Sequence, residues 1–100
     1  MENGYKILWT DHALEELAET YDYLESNFSS KELRKLSREI ASTLDITSMD
    51  PEIHPTADGF ENIRRVVILT YNTLYYQIEG ESIIILSFFS NRQNPDKRSF

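Results

Sequence analysis

The sequence predicts an α+β fold in which two helices pack on one face of an antiparallel sheet. Two apolar stripes with helical spacing follow one another in the first half of the chain. Three β-rich segments separated by turn residues follow in the second half. Because helices and strands occupy separate stretches, both helices are expected on the same side of the sheet. The 100 residues suffice for one domain with one core, which we place over 1–100.

The first helix is predicted over 11–28, directly after a short β-rich segment at 5–10. Thr10 offers a hydroxyl N-cap, and Asp11 is favourable in the first turn of a helix. The opposite face carries six acids and no base, so it is expected to be solvated and to avoid phosphate. The apolar stripe consists of Leu14, Leu17, Tyr21, Leu24 and Phe28.

A second helix is predicted immediately afterwards. Ser29 and Glu32 have the spacing of a capping box, with Ser29 as the N-cap. The link between the helices is so short that they should form an antiparallel hairpin. The residues expected to pack this hairpin on the sheet are Leu14, Leu17, Tyr21, Leu24, Leu36, Ile40 and Leu44.

The second half of the chain is predicted to be a three-strand antiparallel meander. A loop over 49–59 contains two prolines and a glycine. Strands are then expected at 63–69, 73–79 and 82–89, with turns at 71–72 and 79–81. The last strand is nearly all apolar, which indicates burial on both faces.

Composition excludes several classes of function. The net charge is −7, so broad nucleic-acid binding is disfavoured and no direct DNA binding is expected of the chain alone. There is no cysteine, no metal-ligand spacing and no glycine-rich phosphate loop, and we therefore expect no metal and no cofactor. The segment 1–6 does not resemble a signal peptide, and no apolar run is long enough to span a bilayer. A cytoplasmic protein is expected.

Four short motifs occur in the order found in the RelE/ParE toxins of type II toxin–antitoxin systems. Trp9-Thr10 with Ala13, Leu14 and Leu17 resembles the opening of that family, where a strand runs into the first helix. Ile63-Arg64-Arg65 resembles its arginine-bearing strand, and 74–78 resembles its aromatic third strand. The last motif, 83–95, resembles the final strand and its Arg-x-x-Pro ending. The chain therefore resembles a member of this family from Lys6 to about Lys97.

The resemblance implies one of two activities. RelE-like members cut messenger RNA in the ribosome, whereas ParE-like members are associated with inhibition of DNA gyrase. Members of both branches are silenced by an antitoxin, so a hetero-oligomer with an antitoxin is expected. RelE-like nucleases often carry a tyrosine or histidine near the C-terminus, where this chain ends Lys97-Arg98-Ser99-Phe100. We therefore favour a ParE-like toxin that binds a protein target; the alternatives are a ribosome-dependent nuclease and a non-toxic member that still binds antitoxin.

No catalytic residue is assigned under the favoured interpretation. His12 is interpreted as a surface residue; under the nuclease alternative, the candidates are His54, Arg64, Arg65 and Arg92. Arg64 and Arg65 alternate along a strand, so one of them is expected on the helix-covered face, either paired with a carboxylate or available to a target. Arg92 either anchors the bend before Pro95 or contacts a target. Antitoxin contacts are expected at 64–94 and at the start of the second helix. The predicted target- or antitoxin-binding residues are Lys31, Arg34, Lys35, Arg38, Arg64, Arg65 and Arg92.

Overall fold

The structure, a computed structural model, describes residues 4–91. It confirms the α+β fold and the order of its elements. The elements are β1 (Lys6–Trp9), α1 (Asp11–Asn27), α2 (Ser30–Met49), β2 (Ile63–Ile68), β3 (Asn72–Glu79) and β4 (Ser82–Ser90). None of the described helices is long and apolar enough to cross a membrane.

The sheet has the order β1-β4-β3-β2. The meander β2-β3-β4 is antiparallel, as predicted. The first strand lies parallel to β4, with Lys6 opposite Ser82 and Trp9 opposite Ile85, a pairing that the sequence pattern did not predict. It places β4 inside the sheet, which explains why this strand is apolar along most of its length.

The hairpin between β2 and β3 turns two residues earlier than predicted. Leu69 and Thr70 have φ angles of 53° and 71°, and the peptide N–H of Tyr71 donates to the Leu69 carbonyl at 2.7 Å. Asn72, which was expected in the turn, already belongs to β3. The turn at Gly80 lies where the sequence places it, with a φ of 62°.

The two helices begin where the sequence predicts. Thr10 caps α1, because its Oγ1 accepts a hydrogen bond from the Ala13 N–H at 3.2 Å. Ser29 precedes α2 but forms no side-chain capping bond, so the predicted capping box is wrong in that detail. The Ser29 carbonyl accepts a hydrogen bond from the Glu32 N–H at 3.0 Å.

The main core lies between the helices and one face of the sheet. Of the seven helical residues predicted there, Leu24, Leu36 and Ile40 are buried. Leu14 is 47% exposed, which contradicts its predicted packing. Its neighbour, the small Ala13, is instead completely buried in this core. The remaining predicted core residues, Leu17, Tyr21 and Leu44, are partly buried against this core.

The opposite face of the sheet carries a second apolar cluster, formed by Ala57, Tyr75 and Phe89 with Ile63 and Leu86 at its margin. Tyr75 is 2% exposed and Tyr76 is 0% exposed. Both tyrosines are therefore buried, although neighbouring side chains of a strand point to opposite faces of the sheet. On the second face the loop before β2 covers Tyr75, because Ala57 pairs with the edge of β2 and packs on Tyr75.

A β-bulge in β4 lies where β1 ends. Tyr75 pairs with Ser87 but Tyr76 pairs with Ile85, so Leu86 is the extra residue. Beyond the bulge β4 no longer pairs with β1. A carboxylate of α1 accepts hydrogen bonds from β4 there instead. Glu16 Oε1 accepts hydrogen bonds from the Ser87 hydroxyl at 2.6 Å and from the Phe88 N–H at 2.9 Å.

Candidate functional site

A polar cluster forms where the loop after α2 folds back on the sheet. Arg64 extends from β2 on the helix-facing side and donates to the carbonyl of His54 at 2.6 Å, with a longer contact of 3.4 Å to the carbonyl of Glu52. The hydroxyl of Tyr76 donates to the Pro51 carbonyl at 2.6 Å. Both side chains therefore bind the backbone of the same loop.

His54 is held from two sides. Its Nε2 lies 3.1 Å from the hydroxyl oxygen of Thr47, which is buried at the end of α2. Its ring meets the Tyr76 ring edge-on, with 6.1 Å between ring centroids. The loop histidine is thus fixed between α2 and β3, and its side chain is half-buried.

The electrostatics of the cluster follow from burial. Loss of solvation, together with the nearby positive charge of Arg64, lowers the pKa of His54, and Asp50 opposes the shift. Burial also raises the pKa of Tyr76 to about 12. At neutral pH the imidazole is therefore uncharged and the phenol keeps its proton. Clustered groups with perturbed pKa values are typical of catalytic sites but also of structural networks.

The two consecutive arginines serve different faces of the sheet. Arg64 is the residue on the helix-facing side, as one of the pair was expected to be, but within residues 4–91 its partners are carbonyl oxygens and not a carboxylate. The Arg65 side chain is exposed on the other face, while its peptide N–H donates to the Pro55 carbonyl at 3.0 Å. Only Arg64 joins His54. Arg92 lies outside the described residues.

The bases of α2 form a separate surface. All four are exposed, and within residues 4–91 none of them forms an ion pair. Arg34 contacts the Ser30 hydroxyl at 3.4 Å. They occupy one side of the helix in its N-terminal half, whereas the His54 cluster lies beyond its C-terminal end. These four residues, called the α2 basic patch below, are Lys31, Arg34, Lys35 and Arg38.

Sequence reasoning missed a groove between β1 and α2. It measures about 660 Å³ and is open to solvent. The peptide N–H of Tyr5 closes one end by donating to the Ser48 carbonyl at 2.8 Å. The exposed small residues Ala41 and Ser42 on α2 were the available signal, but the groove depends on where β1 lies in the sheet. Its lining includes Tyr5, Ile7, Ala41, Leu44, Asp45 and Ser48.

Within residues 4–91 no group of three or more histidine, aspartate or glutamate side chains is arranged to hold a metal ion.

The described site residues that the sequence predicted lie mainly on two separate surfaces, the His54–Arg64 cluster and the α2 basic patch. Arg65 belongs to neither, because the sheet separates it from His54 and it lies on a different element from the patch.

Comparison with known proteins gives one family and one fold. Residues 7–95 match the family described as ParE toxin of type II toxin-antitoxin system, parDE. A solved chain titled "Chromosomal ParDE TA system from P. aeruginosa" superposes with a TM-score of 0.72. The alignment covers 86% of this chain and 95% of that chain at 15% identity, a level that supports similarity of fold alone. No curated protein matches the chain.

Proposed function

The chain belongs to the ParE toxin family of type II toxin–antitoxin systems, which it matches over 7–95, and from that premise we propose that it acts by binding a protein target such as DNA gyrase. We further propose that a cognate antitoxin neutralises it within a hetero-oligomer, and that both proteins act in the cytoplasm.

One observation supports a binding mechanism over RNA cleavage. Polar atoms of the His54 cluster already form hydrogen bonds within the protein. Cleavage by attack of a 2′-hydroxyl needs a base, an acid and cations near the phosphate. Here the Tyr76 proton is directed at the Pro51 carbonyl, and Arg64 is directed at the His54 carbonyl. A phenol with a pKa of about 12 is a poor general acid or base at neutral pH, because its pKa lies far above the working pH. These contacts hold the loop and leave little for a substrate.

The α2 basic patch supports an antitoxin that contributes carboxylates. Its four side chains are exposed and lack ion pairs with other described residues, whereas the outer face of α1 is acidic. Charge of this arrangement directs association and register more than it adds affinity. We place part of the antitoxin contact on α2 for this reason, and part on the sheet half of the chain, where Arg65 is exposed.

The second candidate is a ribosome-dependent nuclease, and one observation favours it. His54, Arg64 and Tyr76 lie together, and such a trio combines a titratable ring, a cation and a proton donor. A third candidate, a member that binds antitoxin without toxicity, is favoured by no contact within residues 4–91.

Controlled expression distinguishes the three candidates. Cells that make the chain alone are followed for growth, plasmid supercoiling and amino-acid incorporation, with and without the antitoxin. We expect growth to stop with loss of negative supercoiling before protein synthesis fails, and purified gyrase to be inhibited by the chain until antitoxin is added. Early arrest of translation with messenger cleavage, abolished in a folded His54→Ala variant, would establish the nuclease instead. Normal growth together with antitoxin binding would identify a non-toxic member.

A further inference from the structure

The C-terminal end of α2 carries large apolar side chains that face solvent. Ile46 and Met49 on the helix, and Ile53 in the loop that follows, are each more than half exposed. Ile46 and Met49 are three residues apart, so their side chains are neighbours on the helix surface. The Ile53 N–H donates to the Asp50 carbonyl at 3.1 Å, so the chain makes a tight turn directly after the helix ends. Ile46, Met49 and Ile53 are called the α2-end patch below.

The loop that contributes Ile53 is held in place by the His54 cluster. Arg64 donates to the carbonyls of Glu52 and His54, at 3.4 Å and 2.6 Å. These are the residues on either side of Ile53. The His54 ring in turn lies 3.1 Å from the hydroxyl of Thr47 in the last turn of α2. Because the patch is already ordered, it loses little conformational entropy when a partner binds.

Acidic side chains surround the α2-end patch. Asp45, Asp50 and Glu52 are exposed, and each is next in the chain to a residue of the patch. In the part of the chain that the structure describes, none of the three forms an ion pair. The whole stretch 39–63 contains six acids and no lysine or arginine. This charge repels nucleic-acid phosphates and an acidic antitoxin segment alike.

An apolar surface with a polar rim is typical of a protein-interaction site. Methionine suits such a site, because its flexible thioether side chain adapts to the shape of a partner. The acidic rim is complementary to lysine or arginine side chains on that partner. The surface therefore fits a basic protein with an apolar residue at the centre of its contact.

The α2-end patch is distant from the α2 basic patch on the same helix. Arg38 lies eight residues before Ile46, about 12 Å along the helix axis, and Lys31 lies about 27 Å from Met49. The two ends of α2 therefore present surfaces of opposite charge. Partners of opposite charge can bind at the two ends without sharing a contact.

We propose that the α2-end patch is where the chain contacts its protein target, and that the target presents lysine or arginine side chains around an apolar residue there. The inference rests on the proposed function and adds to it the surface and the chemistry of the partner. It also gives the His54 cluster a role without catalysis, since the cluster positions the loop that carries Ile53.

The apolar contact is tested with purified DNA gyrase as the probe, by measuring binding of the full chain and inhibition of supercoiling. A variant with Met49→Ser and Ile53→Ser should bind gyrase more weakly by about tenfold or more. Leu14→Ser, which removes an exposed apolar side chain from α1, should change binding by less than about twofold. Both variants should keep the circular dichroism spectrum of the wild type and bind purified antitoxin within about twofold of it.

A matched pair of charge reversals tests the acidic rim. Glu52→Lys and Glu15→Lys change the net charge equally, and both glutamates are exposed, but only Glu52 adjoins the patch. Glu52→Lys should weaken gyrase binding and lower its dependence on salt, and Glu15→Lys should change both less. Equal effects of the two reversals, or gyrase binding that survives loss of Met49 and Ile53, would overturn the surface. A folded double variant that loses antitoxin as well would assign the patch to the antitoxin and overturn the proposal. Absence of gyrase binding by the wild type would instead overturn the proposed function, and this surface with it.

Discussion

The carboxylate of Glu16 should be among the most stabilising polar groups of the protein. Its Oε1 accepts hydrogen bonds from the Phe88 N–H and the Ser87 hydroxyl, in residues that are 1% and 0% exposed. Glu16→Ala leaves both donors in a nearly dry environment. A hydrogen bond to a charged group contributes about 1.5–3 kcal/mol, and an unsatisfied buried donor costs about 1–3 kcal/mol. Because the Ser87 hydroxyl can rotate toward another acceptor, we expect a loss of about 3 kcal/mol in the free energy of unfolding.

Urea unfolding followed by circular dichroism measures this loss. Glu15→Ala and Glu19→Ala are suitable controls, because both side chains are exposed on the same helix, and each should change stability by less than about 0.5 kcal/mol. Glu16→Gln keeps an acceptor oxygen and should lose about half as much as Glu16→Ala. The His12 imidazole, which lies 3.3 Å from the Glu16 carboxylate, is itself 45% exposed, so this contact should add little. If Glu16→Ala were as stable as the controls, the bulge would not depend on this carboxylate.

Four further substitutions probe the loop and the turns. The free energy of unfolding should decrease as the pH falls from about 6.5 toward the lowered pKa of folded His54, because the unfolded chain binds the proton first. His54→Gln should make the free energy of unfolding less dependent on pH in this range. An equal pH dependence in both proteins would show that His54 is not the group responsible. Tyr76→Phe leaves the Pro51 carbonyl without its donor and should cost about 1–2 kcal/mol in urea unfolding, with a loss below about 0.5 kcal/mol counting against it. Thr70→Gly should raise stability by about 1 kcal/mol and Gly80→Ala should lower it by a similar amount, because both positions have positive φ. Thermal melts measure both changes. A Thr70→Gly protein that melts below wild type, or a Gly80→Ala protein that melts above it, would contradict this explanation.

The sequence predicted the fold class and most element boundaries to within one or two residues, because those depend on local apolar spacing and on turn residues. It did not predict that β1 lies beside β4, since that pairing joins segments far apart in the chain. Leu14 was misplaced for a related reason: a rotation of α1 by one residue exchanges it with Ala13, and the apolar pattern tolerates either arrangement.

The candidate site was predictable only in outline. Alternation along β2 indicated that Arg64 and Arg65 face opposite sides of the sheet, but the register that selects Arg64 depends on the pairing with β3. The partners of Arg64 are backbone carbonyls of the loop around His54. Because every residue has a backbone carbonyl, the sequence does not indicate which ones accept these hydrogen bonds. The burial of Tyr75 likewise depends on how that loop folds over the sheet.

The position of β4 has a consequence for how the protein is made. This strand, 82–90, lies between β1 and β3 and provides the surface on which α1 packs. β1, α1 and β3 are all synthesised before β4, so during translation each of them lacks the strand against which it packs or pairs. A product that stops before Ser82 cannot assemble this sheet, so premature termination upstream of β4 should yield an inactive fragment and not a partial toxin.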